Sequence, residues 1–476
     1  MKELGDFVNE LMKNDLESIL GDRLFHKIED CISYGYDGSF GQHIPDFVVQ
    51  VKSTEEVQKV VEIANEYSVP ITPRGTSTSL SGGPLPIEKG ILMDFSQWDD
   101  YLEIFPDDLI IKASPGVITG DIHKLADQYN LMYAPDPSSS SVCTIGGNLA
   151  ENAGGPRGVK YGVTKDYVLG LEVVTADGDV INTGGSTVKN VTGYDLTKLI
   201  VGSEGTLAII TEVTLRLIPK PPATKTAMIL FDDLYTAGKS ISAILTSGVR
   251  PSKMEILDNN SLNRVEDYAN LGLPREAAAI LLVEVDGHAS ILDKELLTIK
   301  EALLGIGVDK INIAENKADE EKLWQVRKLV SPAIVKSGYT KISEDITLPL
   351  SKIPDMFKKI GEIKEEYDLN IVVFGHAGDG NLHPTLNTNM RDEDEVGRVE
   401  DAIEEIFNHA VALGGTLSGE HGIGTMKRAF MTNELGESGI RFQKAIKQAL
   451  DPNNLLNPGK IFPLEGEKRL VLRNDQ

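Results

Sequence analysis

Apolar residues along this chain fall into short runs of β character separated by stretches of helical period. Phe47, Val48, Val49 and Val51 predict a strand over 47–51. Ser53 with Glu56 three residues later forms a capping-box signature, and Val57, Val60, Val61 and Ala64 lie on one face of the helix that it opens. A second strand is predicted over 69–72 and a third over 90–95, joined by the small-residue loop 74–83 with no helix between them. Further strands are predicted at 109–113 and 207–218, and a helix over 119–130 with Thr119 as its cap. The clearest hairpin pairs 168–176 with 180–182 through Asp177-Gly178. Ahead of these elements, a helix over 7–20 and the turn-rich 33–38 form a lead-in, residues 1–44.

The texture changes at Lys220-Pro221-Pro222, which marks a domain boundary. Beyond it, strands at 226–230, 253–257 and 279–286 interleave with helices at 233–247 and 290–305. Two domains follow, 45–220 and 221–419, with a C-terminal segment, 420–476. By itself the strand and helix alternation of the second domain predicts a parallel sheet.

Composition removes several function classes. The 476 residues are 41% hydrophobic, enough for domains with substantial cores. Lys and Arg total 47 against 72 Asp and Glu, a net charge of −25, which repels nucleic acid. No apolar run reaches the ~18 residues of a membrane span, the nearest being 277–285, and the N-terminus lacks the basic start and apolar run of a secretory signal. The cytoplasm is therefore the expected location, with no integral membrane segment. Cys31 and Cys143 are the two cysteines, too few for an iron–sulfur site of four thiolates.

Candidate chemistry begins with glycine. Backbone N–H groups in a loop of small residues can approach a diphosphate closely, and loop 74–83 has that character. It is neither a Rossmann fingerprint, which needs a following helix, nor a P-loop. Gly238-Lys239-Ser240 imitates the end of a P-loop, but Asp233 stands where its first glycine is required. Two more small-residue clusters, 144–155 and 201–207, suggest one extended cofactor. Together with Pro135 to Ser139, Tyr161-Gly162, and Thr192-Gly193-Tyr194-Asp195-Leu196, these stretches resemble the FAD-binding domain of the vanillyl-alcohol oxidase type. Within that family they resemble the branch of D-lactate dehydrogenases and glycolate oxidase FAD subunits, and the resemblance runs from about residue 45 to 462.

The resemblance implies an α+β fold: an FAD-binding domain in two subdomains, then a cap domain built on an antiparallel sheet with helices on one face. The C-terminal segment would return to the FAD domain. It implies that Arg74, Gly75, Thr76, Ser77, Thr78 and Ser79 cradle the pyrophosphate. Pro137, Thr144, Gly147, Asn148, Asn152, Gly154 and Gly155 would line the ribityl and isoalloxazine region, with Tyr161 and Gly162 beside them. Glu204, Gly205, Ile209 and Ile210 would support the adenine end, and Asn457 would contact the cofactor from the C-terminal segment. Loop 76–79 carries Thr and Ser where covalent relatives carry histidine, so the FAD is expected to be non-covalent.

Three of the eight histidines lie in two glycine-flanked segments, 374–383 and 418–424. Both follow strand-like runs, 370–374 and 415–417, which places the side chains at strand ends. Two imidazoles and a carboxylate suit zinc, iron or manganese and leave positions open. Read from the residues alone, hydrogen bonds that order a glycine-rich turn explain His376 and His383 as well. The resemblance implies that His376, His383 and Glu420 bind one divalent metal (Zn, Fe or Mn) and that His421 is the catalytic base. It also implies that Arg327, with Lys341, holds a substrate carboxylate. Thr385, where relatives acting on dicarboxylates have Asn, leans toward a small monocarboxylate. The expected reaction is oxidation of D-lactate or a close 2-hydroxy acid to the 2-oxo acid. Hydride would pass to FAD, and electrons then to a partner such as an electron-transferring flavoprotein or an iron–sulfur subunit. Glycolate and D-2-hydroxyglutarate are the nearest alternatives, and a non-catalytic flavin relay subunit is the rival from another class.

Overall fold

The computed structural model describes residues 2–336, 339–467, 469, 470 and 472, with side chains from residue 10 onward. Its first sheet runs in the order Leu24–Phe25, Phe47–Gln50, Ile91–Asp94, Ile71–Arg74, the last three strands parallel. The crossover helix Thr54–Tyr67 buries Val57, Val60, Val61 and Ala64 against Phe47, Val49, Ile71, Ile91 and Met93. Each such side chain is worth about 1.5–3 kcal/mol of burial. Ser53 caps the helix by accepting from Glu56 N–H at 3.3 Å, but Glu56 does not complete the box. Its carboxylate turns to Lys52 N–H at 2.7 Å and to Arg23. Met12, Leu16 and Leu20 of helix Lys2–Leu20 belong to this core, so the lead-in is part of the packed structure.

The second sheet is antiparallel, in the order Leu102–Phe105, Ile110–Ala113, Ile209–Arg216, Val168–Val174, Val180–Gly184. The expected hairpin is present, its turn closed by Thr175 N–H donating to Asp179 O at 2.9 Å. Helix Thr119–Gln128 packs Ile122 and Ala126 on this sheet. Thr119 is its first helical residue, not its cap, and the Thr119 hydroxyl instead accepts from Asn148 Nδ2 at 2.6 Å.

The third sheet is antiparallel throughout, as the family resemblance implies and the bare alternation does not. Its order is Ile311–Ile313, Ala223–Phe231, Ala279–Gly287, Lys253–Asp258, Ile371–His376, Asn381–Thr388, Thr340–Ser343, with Ile346–Thr347 also paired to Asn381–Thr388. Helices cover both of its faces, not one. Leu234–Thr246, Ala289–Leu304, Ile353–Glu366 and Glu393–Ala412 pack on the side of Leu281, Val283 and Val373. Asn259–Ala269, Lys317–Lys328 and Val330–Val335 cover the side of Ile280, Leu282 and Val372. The apolar run Ala279 to Val283, at the head of strand Ala279–Gly287, is the sequence trace of a strand buried on both faces. Asp233, the residue that spoils the P-loop match, caps helix Leu234–Thr246 by accepting from Thr236 N–H at 2.7 Å.

Two contacts between these layers bear on the site. After helix Met431–Leu450 the chain reaches the first sheet, where Ile71 N–H donates to Leu455 O at 2.8 Å and Asn457 N–H to Ile71 O at 2.7 Å. Lys160 and Tyr161 meet Asp286 of the third sheet, Tyr161 Oη donating to its carboxylate at 2.6 Å. Among the described residues no helix is long and apolar enough to cross a membrane.

Candidate active site

A cavity of about 590 Å³ runs from loop 74–79, past helix Ile145–Glu151, to the histidines. That volume lies within the range of about 300–1,000 Å³ usual for cofactor and ligand sites. Arg74 to Ser79, Pro137, Thr144, Gly147, Asn148, Gly154, Glu204, Gly205, Ile209, Ile210 and Asn457 all line it. The lead-in braces the first loop: Arg74 Nη1 donates to Tyr34 O and Tyr36 O at 3.0 and 2.9 Å, and Gly38 N–H to Ser79 O at 2.9 Å. Nη1 of the Arg74 guanidinium is thus committed to the chain's own carbonyls.

Four residues assigned to the cofactor do not line the cavity. Asn152 is the left-handed cap of helix Ile145–Glu151, and its Oδ1 accepts from Lys165 N–H at 2.9 Å. Gly155 packs on the Asp136 backbone and Gly162 against the Asp166 carboxylate. Tyr161 is turned to Asp286. Asn152 and Gly155 directly follow the lining residues Glu151 and Gly154, and Tyr161 and Gly162 lie farther along, where the chain has turned away.

Glu204 and Asn457 reach the site with an added role. The Glu204 carboxylate accepts from Ile423 and Gly424 N–H, both at 2.7 Å. Asn457 Nδ2 donates to Glu204 O at 2.7 Å and Gly83 O at 3.0 Å. The two residues therefore clamp the segment that carries Glu420 and His421 onto the first domain. Gly154 permits the close approach on the other side, since a Cβ there would stand 2.7 Å from Glu420 Oε2.

At the far end His376 closes strand Ile371–His376, whereas His383 lies inside strand Asn381–Thr388, opposite Phe374. Residues 415–417 form only a single bridge, Thr347 with Thr416, so strand ends carry His376 alone of the three. Glu420 Oε1 stands 3.1 Å from His376 Nε2 and 3.4 Å from His383 Nε2. These three donor atoms have the spacing and chemistry to hold one divalent cation. The other ring nitrogen of His376, Nδ1, lies 2.5 Å from Glu255 Oε1, the carboxylate partner that metal-bound histidines usually have. His421 stacks on His383 with ring centroids 5.2 Å apart. His383 is shared with a second donor set, Asp345, His383 and His421. His383, Glu420 and His421 line the cavity, and His376 stands behind Glu420.

Arg327 and Lys341 reach the cavity too. Arg327 Nε is engaged by Glu255 Oε2, and Lys341 Nζ donates to Ser331 Oγ at 2.9 Å. Burial, helped by the nearby Arg327 charge, pulls the Lys341 ammonium down to about 8. Glu255 escapes a reading of the sequence because it is an isolated acid 121 residues from His376. Only the register of the sheet, Glu255 opposite His376, reveals it.

Comparison with known proteins identifies the family. Residues 45–184 match the FAD binding domain family and residues 220–461 the C-terminal domain of FAD linked oxidases. The glycolate oxidase subunit GlcD of Bacillus subtilis is 45% identical over 92% of this chain and 93% of its own length. The chain belongs to the FAD-linked oxidases. It binds FAD and is an oxidoreductase of the glycolate oxidase and D-lactate dehydrogenase branch. The GlcD subunit of Escherichia coli K12 is 37% identical (94% of this chain, 90% of that one). The D-lactate dehydrogenase of Anaerostipes hadrus is 33% identical (89% and 90%). Among solved structures, p-cresol methylhydroxylase superposes with a TM-score of 0.79 at 17% identity, over 96% of this chain and 98% of that one, which shows the shared fold.

Proposed function

We propose that this protein oxidises a small 2-hydroxy monocarboxylate, glycolate first and D-lactate second, to the 2-oxo acid. The observation that carries this reading is the convergence of His376, His383, Glu420 and His421 at the end of the cavity that begins at the FAD loops. FAD, when bound, supplies the acceptor for the hydride leaving the substrate's α-carbon. His376, His383 and Glu420 would hold one divalent metal, zinc, iron or manganese, which when bound lowers the pKa of a coordinated hydroxyl.

The chain's own residues do the rest. Burial, reinforced by the charges of His383 and Lys427 and only partly offset by Asp345, holds the His421 imidazole at about 4. It is therefore neutral near pH 7 and able to accept the hydroxyl proton, with Nδ1 buried away from solvent and the ring reaching the cavity. Arg327 and Lys341 offer cationic donors to the substrate carboxylate. Thr385 does not help to choose the acid, because its hydroxyl is buried on Ser343 Oγ at 2.9 Å and His383 O at 3.2 Å. Glycolate leads because the GlcD relatives are more similar to this chain than the Anaerostipes enzyme. The FAD is non-covalent in this reading, and acid precipitation should leave the yellow chromophore in the supernatant. Electrons leave to a protein acceptor, an iron–sulfur subunit or an electron-transferring flavoprotein. That step is supported by the relatives' description as a subunit.

Dye-linked turnover of glycolate, D-lactate, L-lactate and D-2-hydroxyglutarate tests the reading. Glycolate or D-lactate should give the highest kcat/KM. Reduction by the dicarboxylate alone, or by none of the four, would refute it.

A further inference from the structure

Asp345 is fully buried between strands Thr340–Ser343 and Ile346–Thr347. Its Oδ2 accepts from Ser418 Oγ at 2.7 Å and from three consecutive backbone N–H groups, Gly419 at 2.9 Å, Glu420 at 2.9 Å and His421 at 2.8 Å. Oδ1 accepts from Asn381 Nδ2 at 2.6 Å and lies 3.8 Å from His383 Nδ1, while Lys427 Nζ stands 3.6 Å from Oδ2. Successive N–H groups aimed at one point form an anion nest, here filled by the chain's own carboxylate.

A carboxylate has about four lone-pair sites, and five donors already engage this one. Four of these donors crowd Oδ2 and the fifth takes Oδ1, so this carboxylate serves as scaffolding for the loop. What it supports is specific. Segment 418–424 contains Gly419, Gly422 and Gly424 and has little stiffness of its own. Glu420 must nevertheless meet two imidazoles while its neighbour His421 stacks on His383. Fixing both backbone N–H groups on one immovable oxygen aims both side chains together.

We propose that Asp345 is the positioning residue of the site, locking residues 418–421 so that the metal ligand Glu420 and the base His421 are aligned at once. This inference rests on the function proposed above, and its test is arranged so that the two can fail separately. Asp345→Asn turns an N–H₂ group toward the nest, and Ser418→Ala removes one donor while leaving the carboxylate. In the full-length, FAD-loaded protein, Zn²⁺ affinity is measured by chelator competition, with kcat and KM for the better of glycolate and D-lactate.

Asp345→Asn should lose about 10- to 100-fold in Zn²⁺ affinity, the range for outer partners of metal ligands. Its kcat should fall more than KM changes, with FAD content retained. Ser418→Ala should shift both values in the same direction by less. A merely structural role would instead move FAD content and thermal stability. Wild-type affinity and kcat in a folded Asp345→Asn would overturn the proposal. If that variant fails to fold, unchanged values in Ser418→Ala overturn it as well. Should the wild-type protein bind no Zn²⁺, the metal reading fails and Asp345 is judged on kcat alone: a loss at steady KM supports it, and no loss overturns it.

Discussion

Replacing Glu255 by Gln probes the link between the proposed metal ligands and the proposed substrate clamp. Glu255 is fully buried, with one oxygen 2.5 Å from His376 Nδ1 and the other receiving Arg327 Nε. Burial acts to raise its carboxyl, but His376 and Arg327 override that and hold it below the usual range, so it is ionised. Both partners are donors, and glutamine offers a single acceptor oxygen. Its amide N–H₂ must then face either the Arg327 or the His376 donor. Breaking a buried ion pair by removing one member costs about 3–5 kcal/mol. A retained charge-assisted hydrogen bond returns about 1.5–3 kcal/mol, leaving a net loss of about 2 kcal/mol. Loss of an outer carboxylate from a metal-bound histidine typically weakens metal affinity about 10- to 100-fold, or about 1.4–2.7 kcal/mol at 1.36 kcal/mol per tenfold. The fold and the metal site should thus lose comparable amounts, one in unfolding free energy and the other in Zn²⁺ binding. Calorimetric Zn²⁺ titration and urea unfolding of the Gln variant should both register the loss while FAD content stays constant. Wild-type Zn²⁺ affinity in a Gln variant of wild-type stability would refute the reasoning.

Two further outcomes follow from particular side chains. Lys341 titrates at about 8, and a lysine loses its charge as pH rises through its pKa. KM for the 2-hydroxy acid should therefore climb above pH 8 in the wild type, whereas Lys341→Met should show a raised KM without that alkaline limb. A wild-type KM that stays flat across the same range would count against Lys341 as a carboxylate partner. Tyr161→Phe removes the hydrogen bond to Asp286 but nothing that lines the cavity. FAD affinity by fluorescence titration should be unchanged while thermal stability drops modestly, and loss of FAD would return Tyr161 to the cofactor site.

Much of this structure is legible in the sequence, and what is not has physical reasons. Elements with strong local signals, such as helix Thr54–Tyr67 and the hairpin closed by residues 175–179, are present where the apolar period and turn chemistry put them. Small-residue loops point to the cavity proposed for FAD because backbone approach tolerates few other side chains. The sheet direction of the cap is not local: alternating strands and helices fit a parallel sheet equally well, and only non-local pairing decides it. Cover on both faces leaves a trace in the apolar run Ala279 to Val283 of strand Ala279–Gly287, which reads as burial without saying by what. Glu255, Glu204 and Asp345 are hidden among 72 acidic residues, since each earns its place through partners 36 to 220 positions away. Asn152 and Gly155 sit beside lining residues and Tyr161 and Gly162 a few positions beyond them, yet the chain has turned and none of the four lines the cavity.

The most direct test of the account is anaerobic rapid mixing of the FAD-loaded protein with glycolate and with D-lactate, following the flavin absorbance, in the wild type and in His421→Ala. Bleaching by at least one acid in the wild type is expected, with loss of about 10²–10⁴-fold in its rate in the variant, the usual contribution of a positioned base. A flavin that neither acid bleaches, or that bleaches equally fast without the His421 imidazole, would contradict the assignment of this cavity as a 2-hydroxy-acid oxidation site.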